Sequence, residues 1–71
     1  MSVAPEFQQL ARALRRQRVH LGYTQAQVAE MIHVDTSYIT RLETFRDTPS
    51  FDILSVWARA LEYRVGLIAA P

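Results

Sequence analysis

Thr36, Ser37, Thr40 and Arg41 are the side chains whose types and spacing point to recognition chemistry. Hydroxyls both donate and accept hydrogen bonds, and a guanidinium is a planar fork of donors. An arginine fork suits two acceptors side by side. Threonine and serine are less selective, and a threonine methyl adds a small apolar contact. At about 100° per residue of α-helix, with Thr36 at zero, Ser37, Thr40 and Arg41 fall at about 100°, 40° and 140°. Ile39 and Leu42 fall at about 300° and 240°, on the other side. The apolar pair would anchor such a helix, leaving two Thr, a Ser and an Arg facing outward, with Tyr38 at the border. An ordinary amphipathic helix also has a polar outer face, so the surrounding elements must decide between the two.

Those elements are a second short helix and a tight turn. Thr24 and Gln27 stand at capping-box spacing, and Tyr23 and Val28 flank them at the spacing of a hydrophobic staple. Val28, Ala29 and Ile32 then give one apolar face. Asp35 is the next N-cap candidate, with Val34 and Ile39 repeating the staple around it. His33 lies between the helices, where a tight turn needs a left-handed residue; His is among the types that tolerate it. The stretch from Thr24 to Glu43 has the outline of a helix-turn-helix, with the polar face on its second helix.

The remaining chain reads as support. Pro5 and Glu6 open a helix, Phe7, Leu10, Leu14 and Leu21 mark its apolar stripe, and Gly22 stops it. Arg12, Arg15, Arg16 and Arg18 cluster on the rest of that helix; such a cluster is usually a solvated face, with some reach to phosphates. After Glu43, TFRDTPS reads as a loop. Ser50 caps a fourth helix with Phe51, Leu54, Trp57, Ala58 and Leu61 as its apolar positions. Trp57 reads as a core or subunit-interface residue. Beyond it Tyr63, Val65, Leu67 and Ala69 alternate with Glu62, Arg64, Gly66 and Ile68, a strand pattern with no second strand to pair with. Its natural partner is the same strand of a second subunit; a short final helix or a frayed tail is the alternative.

Composition excludes more than it assigns. Seventy-one residues make one small domain, expected to bury only about 60% of its unfolded surface, so an oligomer would help. There is no Cys, hence no disulfide or thiolate metal site. No apolar run approaches membrane-spanning length and no leader pattern opens the chain, which makes a cytoplasmic protein the expectation. The net charge of +1 is too small for a general basic field, and all eight basic residues are Arg. No catalytic set can be assembled: His20 and His33 are distant in sequence, there is no Gly-rich phosphate loop, and His33 beside Asp35 is explained by turn and cap roles. The expectation is therefore no enzyme, no cofactor, no metal and no membrane partner.

Residues 10–62 resemble the Xre/Cro group of helix-turn-helix repressors. The resemblance rests on Arg18, LGYTQAQVA (21–29), VDTSYITRLE (34–43) and TPSFDILSVWARAL (48–61). It implies that the helix after the turn enters the major groove of double-stranded DNA, with Thr36, Ser37 and Arg41, and Thr40 beside them, at base edges. Gln25 would contact phosphate, as would Tyr38 and loop Arg46, while Arg18 would pair with Glu43 as a structural ion pair. His33 replaces the turn glycine usual in the group. The C-terminal pattern resembles HipB-type antitoxins, in which four helices are followed by a strand paired across a dimer. That implies autorepression and a toxin protein as partner.

The expected architecture is an all-α, four-helix, lambda-repressor-like domain spanning residues 1–71. Its helices are expected at about 5–21, 25–32, 36–44 and 51–61, with a short C-terminal β-strand at about 62–69 pairing across a homodimer. Trp57, Tyr63, Val65 and Leu67 are the expected dimer-interface residues. A two-fold dimer would set two recognition helices about 34 Å apart on a near-palindromic operator. A stand-alone phage-type or restriction-control regulator of the same fold is one alternative. A protein-interaction module that has lost DNA binding is the other.

Overall fold

Among the described residues, four α-helices follow one another: α1 (Pro5–His20), α2 (Gln25–Met31), α3 (Thr36–Glu43) and α4 (Phe51–Ala60). The structure, a computed structural model, describes residues 4–66 and 69. The helices start where the sequence predicts, and each stops one residue short of its expected end. Pro5 occupies the first turn of α1, where its missing N–H costs nothing. Thr24 and Gln27 form a reciprocal capping box at the start of α2: the Gln27 N–H donates to Thr24 Oγ1 at 3.0 Å and the Thr24 N–H to Gln27 Oε1 at 2.8 Å. Ser50 Oγ accepts from the Ile53 N–H at 3.2 Å and caps α4. Asp35 holds the N-cap position of α3 but makes no side-chain cap bond, contrary to expectation.

All four helices end in the same way. In each, a residue with left-handed backbone follows the C-cap: Gly22 (φ 80°), His33 (φ 61°), Phe45 (φ 63°) and Glu62 (φ 68°). The N–H of that residue bonds back to the carbonyl three residues earlier, and the next N–H to the carbonyl five residues before itself. The long bonds are Tyr23 to Arg18 (3.0 Å), Val34 to Ala29 (3.0 Å), Arg46 to Arg41 (2.8 Å) and Tyr63 to Ala58 (2.9 Å). This is the Schellman arrangement, which satisfies carbonyls that a helix end leaves open. His33 thus takes the left-handed role expected of it. Phe45 and Glu62 do so without any glycine-like signal in the sequence.

The core lies where the helices converge. Ala11 and Leu14 of α1, Val28 and Ala29 of α2, Ile39 and Leu42 of α3, and Trp57, Ala58 and Leu61 at the end of α4 are all buried. Tyr23, Ile32, Val34 and Leu54 pack against them half-buried, as do Phe7, Leu10 and Leu21 of the expected α1 stripe. α2 packs chiefly on α3, α1 also meets α3, and α2 also meets α4. Gln17 Nε2 donates to the Leu61 carbonyl at 3.2 Å and ties α1 to the end of α4. Among the described residues, no helix is long and apolar enough to cross a membrane.

Three expectations for the C-terminal third need correction. The sequence pattern puts Phe51 on the apolar face of α4, but it is 68% exposed, because it stands at the first position, before the helix reaches the core. Trp57 is wholly buried within its own chain, so it has no surface to offer a partner subunit. The strand expected at 62–69 is not present among the described residues. The left-handed turn at Glu62 redirects the chain, and Tyr63–Gly66 runs without regular structure. Val65 lies half-buried against the core, and residues 63–66 line an apolar cleft with Leu10, Ala13, Leu14 and Ala58. A lone segment has no strand to complete its backbone bonds, so side-chain burial decides its course. Residues 67 and 68, Leu67 among them, lie outside the described residues.

Candidate nucleic-acid interface

α3 is fixed from one side and open on the other. Ile39 and Leu42 are completely buried and Glu43 is 5% exposed, whereas Thr36, Ser37, Thr40 and Arg41 are all exposed. The half-turn separation between the two sets is what the angular pattern of the sequence predicts. Two buried branched aliphatics hold the helix axis, so its outer side chains project from a rigid element.

Beneath that face sits a buried ion pair. Arg18 Nε donates to Glu43 Oε2 at 2.7 Å and a second guanidinium nitrogen to Glu43 Oε1 at 3.0 Å, a two-pronged contact. The remaining fork of Arg18 donates to the Tyr23 carbonyl at 2.9 Å, so the same side chain braces the turn between α1 and α2. Arg18 is 8% exposed. Arg15, largely in solvent, approaches Glu43 Oε1 at 3.8 Å. An exposed contact of that kind contributes little.

Gln25 connects this pair to the outer face. Its Nε2 donates to Glu43 Oε1 at 2.9 Å, and its Oε1 accepts from the Thr40 hydroxyl at 2.7 Å. The Thr40 hydroxyl also has the Thr36 carbonyl within 3.3 Å. The helix-initial glutamine singled out in the sequence is therefore a bridge between α2 and α3. An amide nitrogen carries two N–H groups; one is given to Glu43, and Gln25 is half-exposed.

Arg41 is held at the rim. Its Nε lies 3.5 Å from Asp47 Oδ2, and its guanidinium stands over the Tyr38 ring, 5.4 Å from the centroid. Arginine stacked on an aromatic face loses rotamer freedom before any partner arrives. The Tyr38 hydroxyl is pushed above its ordinary pKa, first by burial and second by the nearby Asp47 carboxylate, with Arg41 acting the other way. It therefore stays protonated, a donor, at neutral pH. Arg46 lies three residues past the end of α3, is exposed, and is set in place by the bond from its N–H to the Arg41 carbonyl. Arg12 stands over the Phe45 ring at 5.0 Å from the centroid and so joins α1 to the end of α3.

The structure thus brings Gln25, Thr40, Glu43 and Arg18 into one bonded chain, and Tyr38, Arg41 and Asp47 into another. Thr36 and Ser37 are exposed at the start of α3. Asp47 and the Gln25–Thr40 bond were not anticipated. Gln25 and Thr40 are fifteen residues apart, on different helices, and no local pattern connects them. Tyr63 is 46% exposed and Val65 half-buried, at the opposite end of the sequence from the α1 basic cluster.

No curated protein matches the chain. Residues 14–68 match the pattern of the helix-turn-helix family, a span that begins within α1 and includes α2, the left-handed turn at His33, α3 and α4. That family is one of DNA-binding, typically non-enzymatic proteins. With its buried anchor, exposed polar face on α3 and left-handed turn, the chain belongs to the Xre/Cro-type helix-turn-helix family and is a DNA-binding transcriptional regulator.

Proposed function

We propose that the chain is a sequence-specific repressor that binds a near-palindromic double-stranded operator as a homodimer and lies on its own promoter. Thr36, Ser37, Thr40 and Arg41 face base edges in the major groove. Gln25, Tyr38 and Arg46 contact phosphates and set register without reading sequence. The observation that carries this reading is the division of α3, with Ile39, Leu42 and Glu43 buried and the four polar side chains exposed on one rigid helix. Arg41 suits a bidentate contact to guanine, and its stacking on Tyr38 supports a role that needs a fixed guanidinium.

Dimerisation is proposed through the segment after α4, with Tyr63, Val65 and Leu67 at the interface. A domain this small gains from the added apolar burial, and a self-complementary contact is what a two-fold dimer requires. The antitoxin role, with a toxin protein as second partner, is the finer part of the proposal and rests on the resemblance of the C-terminal residues alone.

The test is footprinting on the chain's own upstream DNA, with affinity measured across a salt series. Expected is a protected site of two half-sites, about one helical turn apart, with affinity falling steeply as salt rises. Absence of binding at low salt to both that DNA and random duplex would remove the reading. Co-purification with the product of a neighbouring gene tests the antitoxin role separately.

A further inference from the structure

Thr40 differs from its neighbours on the exposed face because its hydroxyl is already bonded to the interior. Glu43, paired to both prongs of Arg18, can only accept hydrogen bonds. Gln25 must therefore turn its N–H toward Glu43, as the 2.9 Å contact shows, and this leaves its carbonyl oxygen toward Thr40. A carbonyl oxygen accepts only, so the 2.7 Å contact uses the one proton of the Thr40 hydroxyl. The hydroxyl is left with lone pairs facing out. Each link fixes the polarity of the next, from a buried charge to an exposed oxygen.

We infer that Thr40 acts at the DNA as an acceptor-only hydroxyl, polarised by the Arg18–Glu43–Gln25 chain, and so selects a base that turns an amino group into the major groove. This rests on the DNA-reading role proposed above. On the strand that Thr40 faces, adenine and cytosine present amino donors there, whereas guanine presents two acceptors and thymine a carbonyl. A freely rotating threonine hydroxyl would serve either kind of base; this one serves the first kind. Gln25 is then a positioning residue for base choice in addition to any phosphate contact. The Thr36 carbonyl, at 3.3 Å, holds the same proton more weakly and yields it to a base acceptor once Gln25 is removed.

The test is selection of bound sequences from a randomised duplex pool by the wild-type chain and by Gln25→Ala, Thr40→Val and Thr40→Ser. Folding of each is followed by the fluorescence of Trp57, the single buried tryptophan. The wild type is expected to enrich a motif with one position per half-site restricted to adenine or cytosine. Thr40→Val, which keeps the shape and loses the lone pairs, should abolish that restriction and no other. Thr40→Ser should retain it. Gln25→Ala should admit guanine and thymine at that position, lowering the preference about fivefold to tenfold. A folded Gln25→Ala chain with the restriction intact, or a Thr40→Val chain that keeps it, overturns the inference and leaves the DNA-binding reading standing. Failure of the wild type to enrich any motif overturns that reading and the inference with it. The Val and Ser variants decide the matter even where Gln25→Ala is too unstable to assay.

Discussion

Replacing Glu43 by alanine should damage the fold far more than a single side chain on a recognition helix suggests. Glu43 accepts two bonds from Arg18 and one from Gln25, and both charged residues are less than a tenth exposed. In Glu43→Ala the Arg18 guanidinium stays buried with the Tyr23 carbonyl as its remaining partner. Removing one member of a buried pair costs about 3–5 kcal/mol, because the other charge is left uncompensated. Arg15 cannot restore the balance, being itself a cation. At about 0.05–0.15 kcal/mol per residue, the total stability of 71 residues is of the same order as this loss. At about 4–8 °C per kcal/mol for a domain of this size, even 3 kcal/mol lowers Tm by about 12–24 °C. Urea unfolding followed by Trp57 fluorescence measures the loss directly. The double replacement Arg18→Met with Glu43→Leu removes both charges together and should recover most of the stability. A Glu43→Ala domain that melts like the wild type but no longer binds DNA would refute this account, since the residue would then act in the complex and not in the fold.

Four further experiments have expected outcomes. Arg41→Ala should cost about 1–3 kcal/mol of operator binding and relax one base position per half-site, whereas Arg46→Ala should weaken all sequences alike and reduce the salt slope by about one. Competition binding against mutated operators separates the two. Asp47→Asn removes the carboxylate 3.5 Å from Arg41 and should raise affinity for random duplex, measured by titration at low salt. Glu62→Gly relieves a left-handed backbone in an exposed residue and should stabilise by up to about 1 kcal/mol; Phe45→Gly should destabilise, because it also removes core packing and the ring beneath Arg12, and thermal melting compares them. Removal of residues 67–71, which include Leu67 of the proposed interface, should weaken dimerisation and operator affinity, as sedimentation and competition binding would show.

The helices and the exposed polar face of α3 were legible because their signals are local. A capping box, a staple and a 3.6-residue period each lie within a few residues of the element they specify. The Arg18–Glu43 contact was reached through the resemblance, since charges twenty-five residues apart have no spacing rule to connect them. What could not be read falls into two kinds. Phe45 and Glu62 adopt left-handed backbone because the helix carbonyls before them need the return bonds, a demand of geometry that overrides residue preference. The Gln25–Thr40 and Arg41–Asp47 contacts depend on how α2, α3 and the following loop lie against one another. The alternation after Leu61 suggested a strand, yet period alone does not supply a pairing partner. In the single chain Val65 turns to the core instead.

The uneven ties of the four outward residues bear on how such a regulator changes its target over evolutionary time. Thr36, Ser37 and Arg41 show no side-chain bond to the Arg18–Glu43 pair among the described residues, so substitutions there can explore new operators while stability is nearly untouched. Thr40 is joined through Gln25 to a charge on which the fold depends. A new residue at that position must either accommodate the glutamine or release it, and release takes one hydrogen bond from a buried carboxylate. Divergence among regulators built on this arrangement should therefore run first through positions 36, 37 and 41, with positions 25 and 40 changing together.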